Sequence, residues 1–240
     1  MKRPVELAPT KIIAVHLNYP SRVEEYDAKT PEAPSFFLKP PSSLSAHGAF
    51  VVRPRGCKYL NYEGEVALIV GRRVNRIAQE DALGHVAAYS VANDFGVHDF
   101  RHADRGSMLR VKGQDGFCPI GPCLVDAADV DPVNLTLRTY VNRKVVQEGN
   151  TSELLFSFAY MLADLSRLIT LEPGDILLTG TPANSRPVQP GDLVEVEVEG
   201  IGRLSNPIVD ADEDLPGPGV MPADTPNARH VARAVPEEEA

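Results

Sequence analysis

"LNYEGEVALIVGR", residues 60–72, sets two glutamates at the mouth of an apolar run. The aliphatic stretch 66–70, bounded by Gly64 and Gly71, reads as a buried strand. Residues two apart on a strand point to the same side, so Glu63 and Glu65 project together, on the face of Ala67 and Ile69. Their carboxylates would stand about 6–7 Å apart and repel by roughly 2–3 kcal/mol at an effective dielectric of about 20. Taken alone, the pattern favours a strand end screened by water. A divalent cation between the two acids would reverse the sign of the interaction. Gly64 between them weakens the strand and is expected to leave room at such a site.

A third acid stands downstream. Asp94, in "VANDFGVHD", directly follows a second strand-like run. Three carboxylates with no thiolate and no paired imidazoles make a hard-oxygen donor set, suited to Mg²⁺ or Mn²⁺.

The remaining elements are mostly short strands. "KIIAVHLNY" (11–19) and "SFFLKPPSSL" (35–44) read as strands, the second ended by Pro40 and Pro41. Between them Ser21 is placed to cap a short helix stopped by Pro31 and Pro34. "QEDALGHVAAYSVAND" reads as a helix running into a strand. The segment 95–121 has no clear period and reads as a working loop or a set of short pieces. "NLTLRTYVNRKVVQEGN" alternates at period two around a turn at Asn142-Arg143-Lys144.

Asn150 and Glu153 form a capping box, and Leu154, Leu155, Phe158, Leu162, Leu165 and Leu168 recur at helical spacing behind it. Pro-Gly-Asp turns at 173–175 and 190–192 each precede a strand. In the second of these Val194, Val196 and Val198 face in and Glu195, Glu197 and Glu199 face out. Many strands, few helices and no βαβ rhythm indicate an α+β, β-rich fold. Residues 1–60 are expected to form an N-terminal segment whose stretch 10–34 is a lid on the substrate side. Residues 61–210 are expected to form the catalytic, metal-binding β-rich body, one domain with that segment. Residues 211–240, proline-rich and acidic at the end, read as an extended tail.

Composition narrows the partners. The chain has 240 residues, 43% of them hydrophobic, and a net charge of −9. No basic stripe offsets that charge, which disfavours nucleic acid or an anionic membrane. Cys57, Cys118 and Cys123 make neither a disulfide framework nor a zinc pattern. With no signal-peptide core and no apolar run of membrane length, a cytoplasmic protein is expected.

"YEGEVALIVGR", "AAYSVANDFGVHDF", "RVKGQDGFCPIGP" and "ILLTGTPAN…VQPGDLVEVEVEGIGRLSNPI" resemble, in order, the successive motifs of the fumarylacetoacetate hydrolase family. The resemblance spans about Lys11 to Asp210. Within the family, "DPVNLTLRTYVN", the Gly-Asn-Thr at 149–151 and "LITLEPGD" look most like the isomerase/decarboxylase branch of homoprotocatechuate breakdown. The resemblance implies a β-sandwich-like roll, usually a homodimer, with one Mg²⁺ or Mn²⁺ held by Glu63, Glu65 and Asp94. It implies that Lys112 is an active-site lysine rather than a surface one. It also implies that Thr181 and Asn18 bind a small 2-oxo or 2-hydroxy-enoic diacid.

One position departs from the pattern. Hydrolytic members resembled here carry Asn-Tyr-x-x-His-x-x-Glu, whose His–Glu pair activates water. This chain has "NYPSRVEE", with Arg22 at the histidine position and Glu25 in place. Arginine stays protonated and cannot act as a base near neutral pH. That disfavours hydrolysis and leaves isomerisation or decarboxylation, with Arg22 free to grip the far carboxylate of a diacid. His16 is a substitute base if it points into the site, and Glu25 would orient such a base. His98, Arg101, His102 and Arg105 follow Asp94 and stand open between substrate binding and simple exposure. The alternatives are an acylpyruvate- or fumarylpyruvate-type hydrolase, or a metal-binding member that has lost catalysis.

Overall fold

The strand Gly64–Val70 is buried at every position because both of its faces are covered. Val66, Leu68 and Val70 join Leu137, Val196 and the helical Met161 and Leu162 in one apolar cluster. Ala67 and Ile69 join Ile12, Phe37, Phe95 and Phe117 in another. The continuous aliphatic run is therefore a central strand between two layers. This computed structural model describes residues 1–104 and 106–233. Arg105 and the acidic end at 234–240 lie outside the described residues.

The main sheet has eight strands. From one edge they run Lys2–Arg3, Cys118–Asp126, Val86–Asn93, Gly64–Val70, Ile176–Leu178, Ile12–Val15 and Phe36–Lys39, with Leu44–Ala46 also pairing Cys118–Asp126. A five-stranded sheet orders Lys144–Asn150, Thr136–Val141, Leu193–Val198, Gly202–Asp210 and Val51–Arg53. A small ribbon pairs Leu60–Asn61 with Gly96–Val97. The architecture is the expected β-rich α+β roll.

The alternation of Leu193–Val198 holds, with Val194, Val196 and Val198 buried. The hairpin turns at Asn142 and Arg143, both with positive φ, as a two-residue loop between twisted strands requires. The segment after Asp94 is a set of short pieces, including the turn His98–Phe100 and the helices Arg101–Asp104 and Leu109–Lys112.

Three local expectations change. The helix expected from Leu154 begins at Phe158, because Ser157 caps it by accepting the Tyr160 N–H. The Asn150–Glu153 box instead closes the single turn Thr151–Glu153, and Leu168, beyond the helix end, is exposed. The helix Pro20–Glu25 forms, but Pro20 starts it and Ser21 does not cap it; Ser21 Oγ accepts the Ala183 N–H. The tail is not simply extended. Pro226–Ala232 is helical, capped by Thr225, and seats Ala228 and Ala232 on Tyr59. Asn61 Nδ2 donates to Ala232 O at 2.9 Å and Tyr26 Oη to Val231 O at 2.8 Å. The C-terminal segment is thereby strapped across the body beside the helix Pro20–Glu25.

Asp175 fixes the parallel pairing of Ile176–Leu178 with Ile12–Val15 in the main sheet. Its Oδ1 accepts from Thr10 N, Thr10 Oγ1 and Lys11 N at 2.9, 2.7 and 3.0 Å. Its Oδ2 accepts from Glu172 N at 2.8 Å and pairs with Lys11 Nζ. Burial pushes the carboxyl up, but the Lys11 ammonium and these N–H donors outweigh it and hold it below the usual range. Asp175→Ala is expected to cost about 2–4 kcal/mol at neutral pH. A depressed folded pKa contributes stability present above the unfolded value and lost as pH falls through the folded one. Denaturant titrations should therefore show the gap to wild type closing below about pH 4. A gap that stays constant down to pH 3 would contradict the ionic origin.

Candidate active site

Strand pairing gathers the three acids. Gly64 lies opposite Asn93 and Glu65 opposite Ala92 in the antiparallel register. At the open end, Glu63 N donates to Asn93 Oδ1 and Asp94 N donates to Glu63 O, each at 2.8 Å. One carboxylate oxygen from each of Glu63, Glu65 and Asp94 then lies within 4.8 Å of the others. The strand-face reading of the two glutamates and the third acid downstream converge on one spot.

Cations answer two of the three. Lys112 Nζ donates to Asp94 Oδ2 at 2.8 Å and to Asp94 O at 2.9 Å, and pairs with Glu63 Oε2. Lys39 Nζ donates to Asp94 Oδ1 at 2.5 Å and to Lys112 O. Arg22 Nη2 donates to Glu63 Oε1 at 3.0 Å. Burial alone would push the Glu63 carboxyl up, but Lys112 and Arg22 outweigh it and hold it below its usual value. Lys112 is likewise lowered by burial, and Asp94 and Glu63 reverse that, keeping it protonated.

Glu65 is different. It is 1% exposed, its side chain accepts from Gly180 N at 2.7 Å, and among the described residues no cation is within ion-pair distance of it. Burial, then the Asp94 and Glu63 charges, push its carboxyl well above the ordinary range. A buried carboxylate short of positive charge, converging with two others, is what a hard divalent cation would complete. The residues present fit such an ion.

The support around the acids was only partly foreseen. Gly64 does not make room at the site. A Cβ there would run into Thr139 Oγ1 and stand 3.0 Å from Val196 Cγ1, so the glycine admits the facing sheet on the side away from the acids. Gln147 ties this point to the substrate side. Its Oε1 accepts from Gly64 N at 3.3 Å, and its Nε2 donates to Thr181 Oγ1, Pro182 O and Ala183 O at 3.0, 2.8 and 3.1 Å. Thr181 Oγ1 therefore accepts from inside, and its own hydrogen is left to donate outward. Gly180 has φ +99, and a Cβ there would come within 2.8 Å of Asn18 Cβ. Gly-Thr-Pro is thus a backbone donor to Glu65 followed by a hydroxyl.

A cavity of about 340 Å³ opens on this cluster. Glu63, Lys112, Thr181, Arg22 and His16 line it. His16 packs on Phe37, ring centroids 4.7 Å apart, and burial with the Lys112 and Arg101 charges lowers its pKa, so it is neutral near pH 7.

Two expectations are corrected. Asn18 is fully buried, with Nδ2 donating to Thr179 O and Phe156 O and Oδ1 accepting from Phe156 N; it braces two loops and does not reach the cavity. Arg22 is not free to grip a diacid. Its Nη1 donates to Glu25 Oε2 at 2.6 Å, its Nη2 is taken by Glu63, and it lies over the Tyr26 ring. Glu25 in turn accepts from Arg186 at 2.5 Å, and the Arg186 and Arg22 charges outweigh burial to hold its carboxyl low. His98, Arg101 and Met108 line the cavity from the segment after Asp94, and His230 and Val231 from the C-terminal strap; His102 is exposed. Lys39, Gln147 and the strap carried no sequence motif that marked them.

Residues 11–209 match the family model for the fumarylacetoacetate (FAA) hydrolase C-terminal region. The chain is 41% identical over 199 residues to the 4-hydroxyphenylacetate degradation bifunctional isomerase/decarboxylase of Salmonella dublin. That match covers 82% of this chain and 46% of the relative, so the chain spans about half the length of that protein. The structure resembles 5-carboxymethyl-2-hydroxymuconate delta-isomerase from Mycobacterium smegmatis, with TM-score 0.79, 37% identity and coverage of 86% of this chain and 81% of the other. It also resembles a maleylpyruvate hydrolase from a Sphingobium species, solved with manganese(II) and pyruvate. There the TM-score is 0.73 at 34% identity, covering 85% of this chain and 72% of the other. With its motifs in order, its acids convergent and its fold shared, the chain belongs to the fumarylacetoacetate hydrolase family.

Proposed function

We propose that the protein is a Mg²⁺- or Mn²⁺-dependent isomerase or decarboxylase of small 2-hydroxy-dienedioic or oxo-tricarboxylic acids from aromatic breakdown. The observation that carries this reading is the convergent Glu63–Glu65–Asp94 cluster, which meets the cavity through Glu63, beside a permanently protonated arginine at the histidine-equivalent position. The similarity to the isomerase/decarboxylase and isomerase relatives supports the same choice. Among the described residues no helix is long and apolar enough to cross a membrane.

A divalent cation held by Glu63, Glu65 and Asp94 would polarise the substrate's 2-oxygen and share the negative charge that develops there. Lys112 places a second positive charge at the same end, already oriented by its three acceptors. Thr181 offers its hydroxyl hydrogen to the substrate carboxylate. His16, neutral in the cavity wall, takes a proton from the carbon chain and returns it. Return to a different carbon is isomerisation. In decarboxylation the C–C electron pair stays on the substrate as CO₂ leaves, and that carbon takes a proton from water. Arg22 cannot take a proton, so water is not activated from that position. The protein is expected to work as a homodimer, which light scattering would check.

Turnover of a 2-hydroxymuconate-type diacid, followed by its ultraviolet absorbance, should require added Mg²⁺ or Mn²⁺. Glu65→Gln should reduce it by at least about 100-fold and remove the rise in melting temperature that the metal produces. Absence of metal-dependent turnover on any such diacid would sink the reading. A second reading, acylpyruvate hydrolysis, is favoured by one observation, the place of His16 in the cavity wall beside Lys112 and Glu63. It requires pyruvate release that His16→Ala abolishes.

A further inference from the structure

Charge pairing in the site leaves one cation over. Glu25 is answered by Arg22 and Arg186, Glu63 by Arg22 and Lys112, and Asp94 by Lys39 and Lys112. Arg101 lines the same cavity, yet among the described residues no carboxylate is within ion-pair distance of it. Its Nη1 is directed at Met108 Sδ, 3.1 Å away, and a thioether is a weak acceptor. A half-buried guanidinium that faces a cavity and, among the described residues, bonds only a sulfur is suited to receive an anion.

His98 gives an independent sign from the same wall. It is 2% exposed, and neither Nδ1 nor Nε2 has a hydrogen-bond partner. Buried polar atoms are nearly always satisfied, and orphaned ones point to a ligand or a water. The backbone that carries both residues is firmly held. Asp99 accepts from Lys58 N at 2.9 Å and Tyr59 N at 2.8 Å, and His98 N donates to Tyr59 O at 2.9 Å. His98 and Arg101 sit three residues apart across consecutive helical turns, a spacing that puts side chains on one face.

We propose that Arg101 and His98 form the subsite for the second carboxylate of a dicarboxylic 2-oxo or 2-hydroxy acid whose first carboxylate and 2-oxygen face the acidic cluster. This rests on the reading given under Proposed function and names the feature that selects a diacid within it. Arg101 supplies the charge and a planar fork matched to a carboxylate. His98 supplies one further N–H donor from a neutral ring. Arg22, the other guanidinium in the wall, is already committed to Glu25 and Glu63.

The test compares two ligands that differ only at the far end, 2-oxoheptanedioate and 2-oxoheptanoate. Each is titrated calorimetrically into the full-length protein with saturating Mg²⁺. Wild type should bind the diacid about 10- to 100-fold more tightly. Arg101→Gln should erase that preference while leaving the monoacid affinity unchanged, and Arg101→Lys, which keeps the charge without the fork, should retain part of it. His98→Ala should reduce the preference severalfold. Equal binding of the two ligands by wild type would overturn the subsite and leave the parent reading intact, as would equal weakening of both by Arg101→Gln. If neither ligand binds, the parent reading fails and the subsite falls with it.

Discussion

Lys112→Met is expected to separate stability from turnover. The Lys112 ammonium is buried between Glu63 and Asp94 and answers both. Removing one member of a buried ionic cluster leaves charge uncompensated, at a cost of about 3–5 kcal/mol. Arg22 and Lys39 still face Glu63 and Asp94, which places the loss toward the lower end of that range. A divalent ion supplies positive charge to the same carboxylates, so Mg²⁺ should raise the melting temperature of the variant more than that of wild type. Turnover should not return with it. In the proposed reaction Lys112 sets a fixed positive charge at the substrate's reacting end, and deleting such electrostatic stabilisation costs about 10²–10³-fold in rate. Thermal unfolding with and without Mg²⁺, beside the diacid rate, checks both halves. A variant that melts like wild type without metal, or that keeps turnover within tenfold, would show that Lys112 is incidental.

The three convergent acids were legible because their signal is local. Glu63 and Glu65 follow from the two-residue period of a strand, and Asp94 from its place at the end of the strand that pairs with it. Lys112 and Thr181 were legible through motif order. Lys39 was not, because a lone lysine before two prolines looks like a strand end. Its burial depends on Asp94, Lys112 and Phe117 meeting it across more than fifty residues of sequence. Gln147 was hidden in the same way: an alternating strand shows which side a residue faces, not which loops will cover it.

Gly64 shows the opposite failure. Its freedom from side-chain bulk was readable, but the side that needed the space was not, since that depends on how closely the second sheet packs. The C-terminal helix was missed because two alanines on a tyrosine make a contact too small for any periodic pattern. Arg22 was the most misleading position. Its chemistry was read correctly as that of a permanent cation, and its partner was misassigned because only the fold brings Glu63 within 3.0 Å of it.

That reassignment has a measurable consequence. Arg22→Gln should weaken Mg²⁺ binding by about 10- to 100-fold, because the guanidinium orients a carboxylate of the metal set through Glu63 Oε1. It should also destabilise the fold by about 3 kcal/mol, since both acids keep a second partner, Glu25 in Arg186 and Glu63 in Lys112. At saturating Mg²⁺ the turnover number should recover to within about tenfold of wild type, as expected for a residue that acts through a ligand rather than on the substrate. The preference for a diacid over the matched monoacid should not change, because Arg101 rather than Arg22 carries it. The opposite pattern, normal Mg²⁺ affinity with the preference lost, would return the far carboxylate to Arg22. Metal affinity and ligand preference thus report on different guanidiniums of one cavity, and a single pair of titrations on each variant tells them apart.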